Sequence, residues 1–577
     1  MHRRSCALVL LVGLLLYLAP RASAAVRVVA TTNDTAPGSS DPFSQFAEPV
    51  INGLGQVAIT AFVDDFDGSS GIWSEGDGSL AKVALTGETA PGAGGATFGD
   101  FPPLEVFIND LGDVTFNAFL DDFTTTGLWS DRDRTATPLT KIALEGDPAP
   151  GTIAPSTFSF DFQFTDVAQT HDGVAFLSSL AVFSEGVGGA LGKVVEPTEL
   201  APGTFRPSVN GLANFENFSP PTINNAGTVA FFAETNAGTG VDSIGDGGVW
   251  KGTGGGLEPV ALQGEIAPGT SNEFSQIFGR TTTPAYSTNP IINNSGDVAF
   301  TALLTGLIGG TLRSGVWVER DDVLAKVMLE SEPAPGAPGF FFDRLQHDPF
   351  IDADGNAVVQ VALDDGREGV WQESSPGVLD LVALQGGALP DTSETLLNII
   401  DIAVNDSGQI ALFVDLSDFN QAIYTTDSTG ALTKVVQIGD FVDVNGTPFE
   451  VQQLYFNGAQ LPFDNTASGL SNNGQIAYAF DGEDDQFNFV SAVVVADGPP
   501  AGTTPGDFDL DGDVDVADLV LWNRGGSPVP NSLADLNDWR MNAGFGSAQS
   551  AVTAIPEPAT TPFAAVFLLS LAKRRKK

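Results

Sequence analysis

Between residues 26 and about 500 the chain alternates short apolar runs with Gly, Asn, Asp and Pro, and no helical periodicity of any length appears. Such runs, closed by turn residues, predict antiparallel strands. The runs also repeat. One motif, N-x-x-G-x-x-A-F, appears as Asn52…Gly55…Ala58, Asn109…Gly112…Phe116, Asn224…Gly227…Ala230-Phe231 and Asn293…Gly296…Ala299-Phe300. Looser copies start at Thr170, Asp352, Asn405 and Ser471, which makes eight copies spaced 53 to 69 residues apart. Asn can cap its own backbone and Gly can take a positive φ, so N-x-x-G predicts a tight turn that opens a strand. The small Ala in that strand permits close packing.

Two further motifs complete each unit. G-x-W stands at Gly71–Trp73, Gly127–Trp129, Gly248–Trp250, Gly315–Trp317 and Gly369–Trp371, with Ala181-Val182-Phe183 and Ala422-Ile423-Tyr424 as degenerate versions. Every tryptophan of the repeat region fills this slot, where it predicts a large buried face between sheets. V-A-L-x-G-E-x-A-P-G occupies 83–92, 142–151, 260–269 and 327–336, more loosely 194–203, with eroded copies from Val382 and Val435 and one at 29–38. Its Pro-Gly ends a strand and starts a loop. Eight units of about four strands predict an all-β fold, an eight-bladed β-propeller over 26–500. The chain starts with a VAL-type strand, and its last unit stops after a G-x-W-type strand near Val493. The N-terminal strand is therefore expected to complete the last blade and close the ring. An open β-solenoid or a row of small sandwiches is the alternative.

Charge narrows the function classes. The formal net charge is −47, and Arg3, Arg4, Arg21 and the five C-terminal basic residues hold 8 of the 25 cations. So acidic a surface repels nucleic acid and anionic membranes and suits divalent cations or high salt. Cys6, the only cysteine, precedes residue 24, so the rest of the chain forms no disulfide and no thiolate metal site. Beyond that point the histidines are His171 and His347. Neither lies in a nucleophile motif, and each reads as a loop or strand-edge residue. Acidic pairs precede the G-x-W strands at Asp64-Asp65, Asp121-Asp122, Asp364-Asp365 and Asp484-Asp485. They read either as solvated hairpin loops or as a cation- or glycan-binding rim, and paired carboxylates also serve glycosidase chemistry.

Residues 506–546 differ in character. Asp507-x-Asp509-x-Asp511-Gly512-Asp513-x-Asp515-x-x-Asp518 matches a calcium loop. Asp507, Asp509 and Asp511 supply side-chain oxygens, Gly512 the sharp turn, Asp513 its carbonyl, Asp515 a water-mediated contact and Asp518 the closing carboxylate. Helices are expected over about 516–524 and 533–542. A closing Asp with no helix before the loop resembles a dockerin module, which implies a cohesin-like partner contacted near Val516 and Ala517. Dockerins usually carry two such loops, and 525–532 lacks the second acidic series, so a lone calcium-stabilised spacer is the alternative reading. Residues 502–505 read as the linker.

The ends carry address signals. A basic start, an apolar run from Cys6 to Leu18 and Ala22-Ser23-Ala24 form a signal peptide over 1–24. At the other end Pro556-Glu557-Pro558 leads into an apolar stretch, 563–572, and the basic run 573–577. This order, over 555–577, resembles the PEP-CTERM sorting signal of Gram-negative bacteria with extracellular polysaccharide. The resemblance implies processing by an exosortase near Pro556-Glu557-Pro558, although the apolar part is about half a membrane span. The repeats resemble those of bacterial tandem N-x-x-G-x-x-A-F surface proteins. The expectation is an exported surface or matrix protein, non-enzymatic, binding glycan or protein, with Ca2+ as its cofactor. A secreted polysaccharide hydrolase or lyase carrying a dockerin is the alternative.

Overall fold

The computed structural model describes residues 26–497 except 65–67, 103–105, 133–138, 154–155, 160–165, 168–172, 179–180, 187–189, 206–210, 237–245, 278–288, 309–310, 428 and 459–467, and beyond them positions 519, 522, 536, 539 and 540. The described strands form eight antiparallel sheets of four or five strands. In chain order they are blades 1 to 8, covering residues 43–85, 98–144, 166–195, 215–262, 274–329, 342–384, 396–437 and 441–496. In most blades the innermost strand is broken into two short pieces that both pair with the second strand, as Phe43–Phe46 and Val50–Ile51 do with Val57–Val63.

Blade 8 takes its outermost strand from the start of the chain: Val26–Thr31 pairs with Phe489–Ala496, Val26 opposite Ala496 and Thr31 opposite Ala492. This is the expected closure. Register confirms that the strand belongs to the third motif. In every blade the outermost strand skips one residue opposite the G-x-W strand, and that residue is the Val or Ile of V-A-L: Val83, Ile142, Val194, Val260, Val327, Val382 and Val435. In blade 8 the skipped residue is Val29. A bulge at a fixed place adds the same extra twist to each blade.

The first two motifs are cross-strand partners. Phe116 stands opposite Trp129, Phe231 opposite Trp250, and Phe300 opposite Trp317. All five tryptophans of the G-x-W motifs are fully buried. Each ring packs on the preceding blade, whose motif Ala makes room for it: Trp73 shares a core with Ala477, Trp129 with Ala58, and Trp371 with Ala299. A phenylalanine outside the three motifs opens most innermost strands. Phe43, Phe98, Phe215, Phe274 and Phe342 set their ring edges against the tryptophan at 4.9–5.1 Å, a preferred aromatic geometry.

The propeller belongs to one compact unit, and the chain from Thr504, Asp509–Asp511 excepted, to a second. Within that second stretch the five described positions, Leu519, Trp522, Leu536, Trp539 and Arg540, have helical backbone. The residues of the expected calcium loop, Asp507, Asp509, Asp511, Asp513, Asp515 and Asp518, those of the expected signal peptide over 1–24, and the tail with Pro556, Glu557 and Pro558 lie outside the described residues.

Candidate functional site

Three repeated constructions occupy the polar positions of the ring. The first lies at the axis, where the N-x-x-G turns meet. Asn52 Oδ1 accepts from the backbone N–H groups of Leu54 and Gln56, closing its own turn, and its Nδ2 donates to the Asn109 carbonyl of the next blade at 2.7 Å. Asn224 donates in the same way to Asn293 O (3.0 Å), Asn293 to Asp352 O (2.9 Å) and Asn405 to Ser471 O (2.9 Å). A second set of bonds runs beside it, from Gly53 N to Asp110, Asn225 N to Asn294 and Asp406 N to Asn472. These bonds link the turns of neighbouring blades around the axis. Between Asn293, Asn294, Asn405, Asp406 and Asn472 there remains a cavity of about 40 Å3. That is room for a few waters, and sugar-sized ligands need several hundred Å3.

The second construction joins neighbouring blades farther out. An acid two residues after the G-x-W aromatic accepts from the N–H that opens its own second strand, as Glu75 does from Val57 and Glu373 from Ala357. A cation of the preceding blade then pairs with it: Arg27 with Glu75, Arg132 with Glu185, Lys251 with Glu319 and Arg320 with Glu373. Arg27 and Arg320 also donate to the carbonyls of Gly55 and Gly355 in the N-x-x-G turns. The sequence signal, W-x-[ED], was present at Glu75, Asp131, Glu319 and Glu373 and was missed. Between blades 3 and 4 Gly186 stands where Arg132 and Arg320 stand, and Gly252 replaces the acid. There a cleft of about 420 Å3 opens, lined by Glu185, Gly186, Lys193, Gly227, Val229 and Thr253. Its charges are already matched: Arg132 grips Glu185 with two bonds of 2.7 and 2.9 Å, and Lys193 bridges Glu196 and Glu199.

The third construction is the acidic rim, on the face opposite the N-x-x-G turns. These carboxylates build their own hairpins. Asp122 accepts from Thr124 N, Thr125 N and the Thr125 hydroxyl, and the hydroxyl bond foremost lowers its carboxyl to about 2. Asp484 accepts from Gln486 N, Asn488 N and the Asn488 amide, which lowers it as well. Asp365 holds Arg367 at 2.6 Å. Asp65 is outside the described residues. The hairpin-loop reading of the pairs accounts for these contacts, and the bonds to Asp122 and Asp484 favour their ionised forms.

His171 lies outside the described residues. His347 sits in the break of blade 6's innermost strand, where burial lowers its imidazole. Beside it Asp348 accepts from Asn289 N at 3.1 Å, has no partner for Oδ1 among the described residues, and is pushed well above the usual carboxylate range by burial. Among the described residues no three His, Cys, Asp or Glu side chains gather as a metal site, and no helix is long and apolar enough to cross a membrane. The expected calcium loop, Asp507 to Asp518 in the sequence, would offer an all-oxygen donor set of the kind a hard divalent cation takes.

Fold and contacts together define a closed, all-antiparallel propeller of eight near-equivalent blades. The chain belongs to the family of unknown function DUF7453, whose sequence profile matches residues 14–148, 164–364 and 237–497. No curated protein matches the sequence. Among solved structures it is similar to the Dos1 propeller, with 9% identity over 82% of this chain and 96% of that one at a TM-score of 0.34. It is also similar to a polysaccharide lyase of family PL25, an ulvan lyase, with 10% identity over 83% and 96% at 0.28. A third similarity is to the BP39L lectin of Burkholderia pseudomallei, with 14% identity over 68% and 99% at 0.29. Similarity at this level carries no functional inference, and the blade count rests on the sheet pairings.

Proposed function

We propose that this is an exported surface or matrix protein of a Gram-negative-type bacterium, non-enzymatic, whose propeller binds glycan or protein through its loop faces. The leader at 1–24 directs export. The tail at 555–577, with Pro556-Glu557-Pro558, is the substrate of an exosortase-type enzyme. The dockerin-like segment binds Ca2+ through Asp507, Asp509, Asp511, Asp513, Asp515 and Asp518 and serves as a spacer or as the contact for a cohesin-like protein.

The observation that carries this reading is the use to which the polar groups are put. Asn at the axis, Glu at the blade interfaces and Asp at the rim each recur in several blades; the first two link one blade to the next, and the third is engaged in its own hairpin. A catalytic centre depends on one asymmetric constellation, whereas repeated, mutually satisfied groups make a rigid platform whose exposed loops do the recognising. The test is a glycan array probed with the full chain, with and without calcium. Binding of intact glycans is expected. Cleavage of any polymer would replace this reading with the hydrolase or lyase alternative.

A further inference from the structure

The hairpins between the second and third strands of blades 2, 7 and 8 share an unusual residue. Phe123, Phe419 and Phe487 have φ of 55°, 67° and 64°. Their rings are 66%, 82% and 79% exposed. Both features are unfavourable: the left-handed region crowds a bulky L-residue, and the exposed ring keeps its apolar surface in water. Blade 6 shows how the same turn is built without them. There Gly366, φ 87°, donates its N–H to Leu363 O, as Phe123 does to Leu120 O and Phe419 to Leu416 O. Glycine satisfies the backbone at no steric cost. The turn therefore does not need the phenyl groups, and the fold does not bury them.

We infer that the exposed phenyl rings on the hairpin tips of blades 2, 7 and 8 form a stacking surface for an extended, uncharged polysaccharide, an inference that rests on the glycan-binding reading above. A flat apolar ring is complementary to the apolar face of a pyranose. Blades 7 and 8 are neighbours, and only blade 1 separates blade 8 from blade 2. Separate rings along an arc suit a repeating linear ligand. Each ring stands on its own hairpin, flanked in the chain by Asp122 and Thr124, Asp418 and Asn420, or Gln486 and Asn488, and even with the exposed Phe489 of blade 8 they offer less than the roughly 800 Å2 per partner that a stable protein interface buries. Asp122 and Asp484, on two of the same tips, stay ionised and turn away anionic polymers and anionic bilayers.

The test is affinity electrophoresis of the full chain in gels containing hydroxyethylcellulose or alginate, comparing the parent with the triple variant Phe123→Gly/Phe419→Gly/Phe487→Gly. The parent is expected to be retarded by the neutral polymer and not by alginate. The triple variant is expected to bind the neutral polymer at least roughly ten-fold more weakly, three stacking contacts having been removed. Its thermal midpoint is expected to equal or exceed the parent's, which separates lost recognition from lost folding. A parent that binds glycans on the array but is not weakened by the triple substitution overturns this inference and leaves the glycan-binding reading intact. Retardation by alginate that disappears in the triple variant overturns the choice of an uncharged ligand.

Discussion

The indole of each G-x-W motif folds back over the residue two before it. A methyl group on Gly127 would meet Trp129 Cη2 at 2.4 Å, and at Gly71, Gly248, Gly315 and Gly369 the corresponding contact is 2.7 or 2.8 Å. Where the aromatic is smaller, as at Phe183 and Tyr424, Ala181 and Ala422 are tolerated. The degenerate copies are thus matched pairs. Gly127→Ala is expected to destabilise the protein by about 1–3 kcal/mol through overpacking, read by chemical denaturation. A cost near zero would mean that the indole does not hold this position. Asp352 is the other informative residue. It stands where most turns have Asn, is 5% exposed, and is raised by burial to about 6. The native state therefore keeps a proton that the unfolded chain releases near 3.8. The group's contribution is most favourable below pH 4, is lost as pH rises to about 6, and stays lost above. Asp352→Asn, which also restores an amide able to reach the next blade, is expected to add about 2–3 kcal/mol at pH 7 and to flatten the stability profile between pH 4 and 6. Identical profiles for parent and variant would exclude this account.

At the scale of the element, the third motif joins one blade to the next. Its Pro carbonyl accepts the indole N–H of the following blade: Trp73 to Pro37, Trp129 to Pro91, Trp250 to Pro202, Trp317 to Pro268 and Trp371 to Pro335, at 2.8–3.1 Å. Tyr424 makes the same bond to Pro390 through its hydroxyl. The A-P-G loop was legible as a strand end, but its role as an acceptor was not, because its partner lies 34 to 49 residues away. The interblade ion pairs illustrate how burial decides energy. Glu373 has no exposed side chain, whereas Arg27 of the Arg27–Glu75 pair is 44% exposed. Glu373→Ala, which takes the carboxylate from Arg320 and the acceptor from the Ala357 N–H, is expected to cost about 3 kcal/mol or more, and Arg27→Ala less than about 1 kcal/mol. Equal costs in denaturation experiments would show that the clamp is not desolvated.

For the whole molecule, closure is the decisive contact. Removing residues 26–31 would uncover the backbone of Phe489–Ala496 and leave blade 8 with a bare edge. Such an edge invites pairing with another chain. The truncated protein is expected to melt at a lower temperature and to associate in light scattering. A truncated chain that stays monomeric and equally stable would contradict this account of the ring.

The sequence by itself determined the number of blades, the strand order within them and the strand that closes the ring. Turn residues and strand patterning act locally, so eight copies of N-x-x-G, G-x-W and V-A-L make these features readable in one dimension. It also set the matched choice of Gly with Trp and Ala with Phe or Tyr, although only the side-chain packing exposes the reason. The tertiary structure alone decided which groups are engaged and which are free. Asn52 finding Asn109, Glu373 finding Arg320, and Asp122 turning onto its own threonines are contacts set by how one blade stacks on the next and how each hairpin folds. The same holds for Phe123, Phe419 and Phe487. In the sequence they are apolar residues like the core phenylalanines, and only the placement of their hairpins on the outer rim leaves them in solvent.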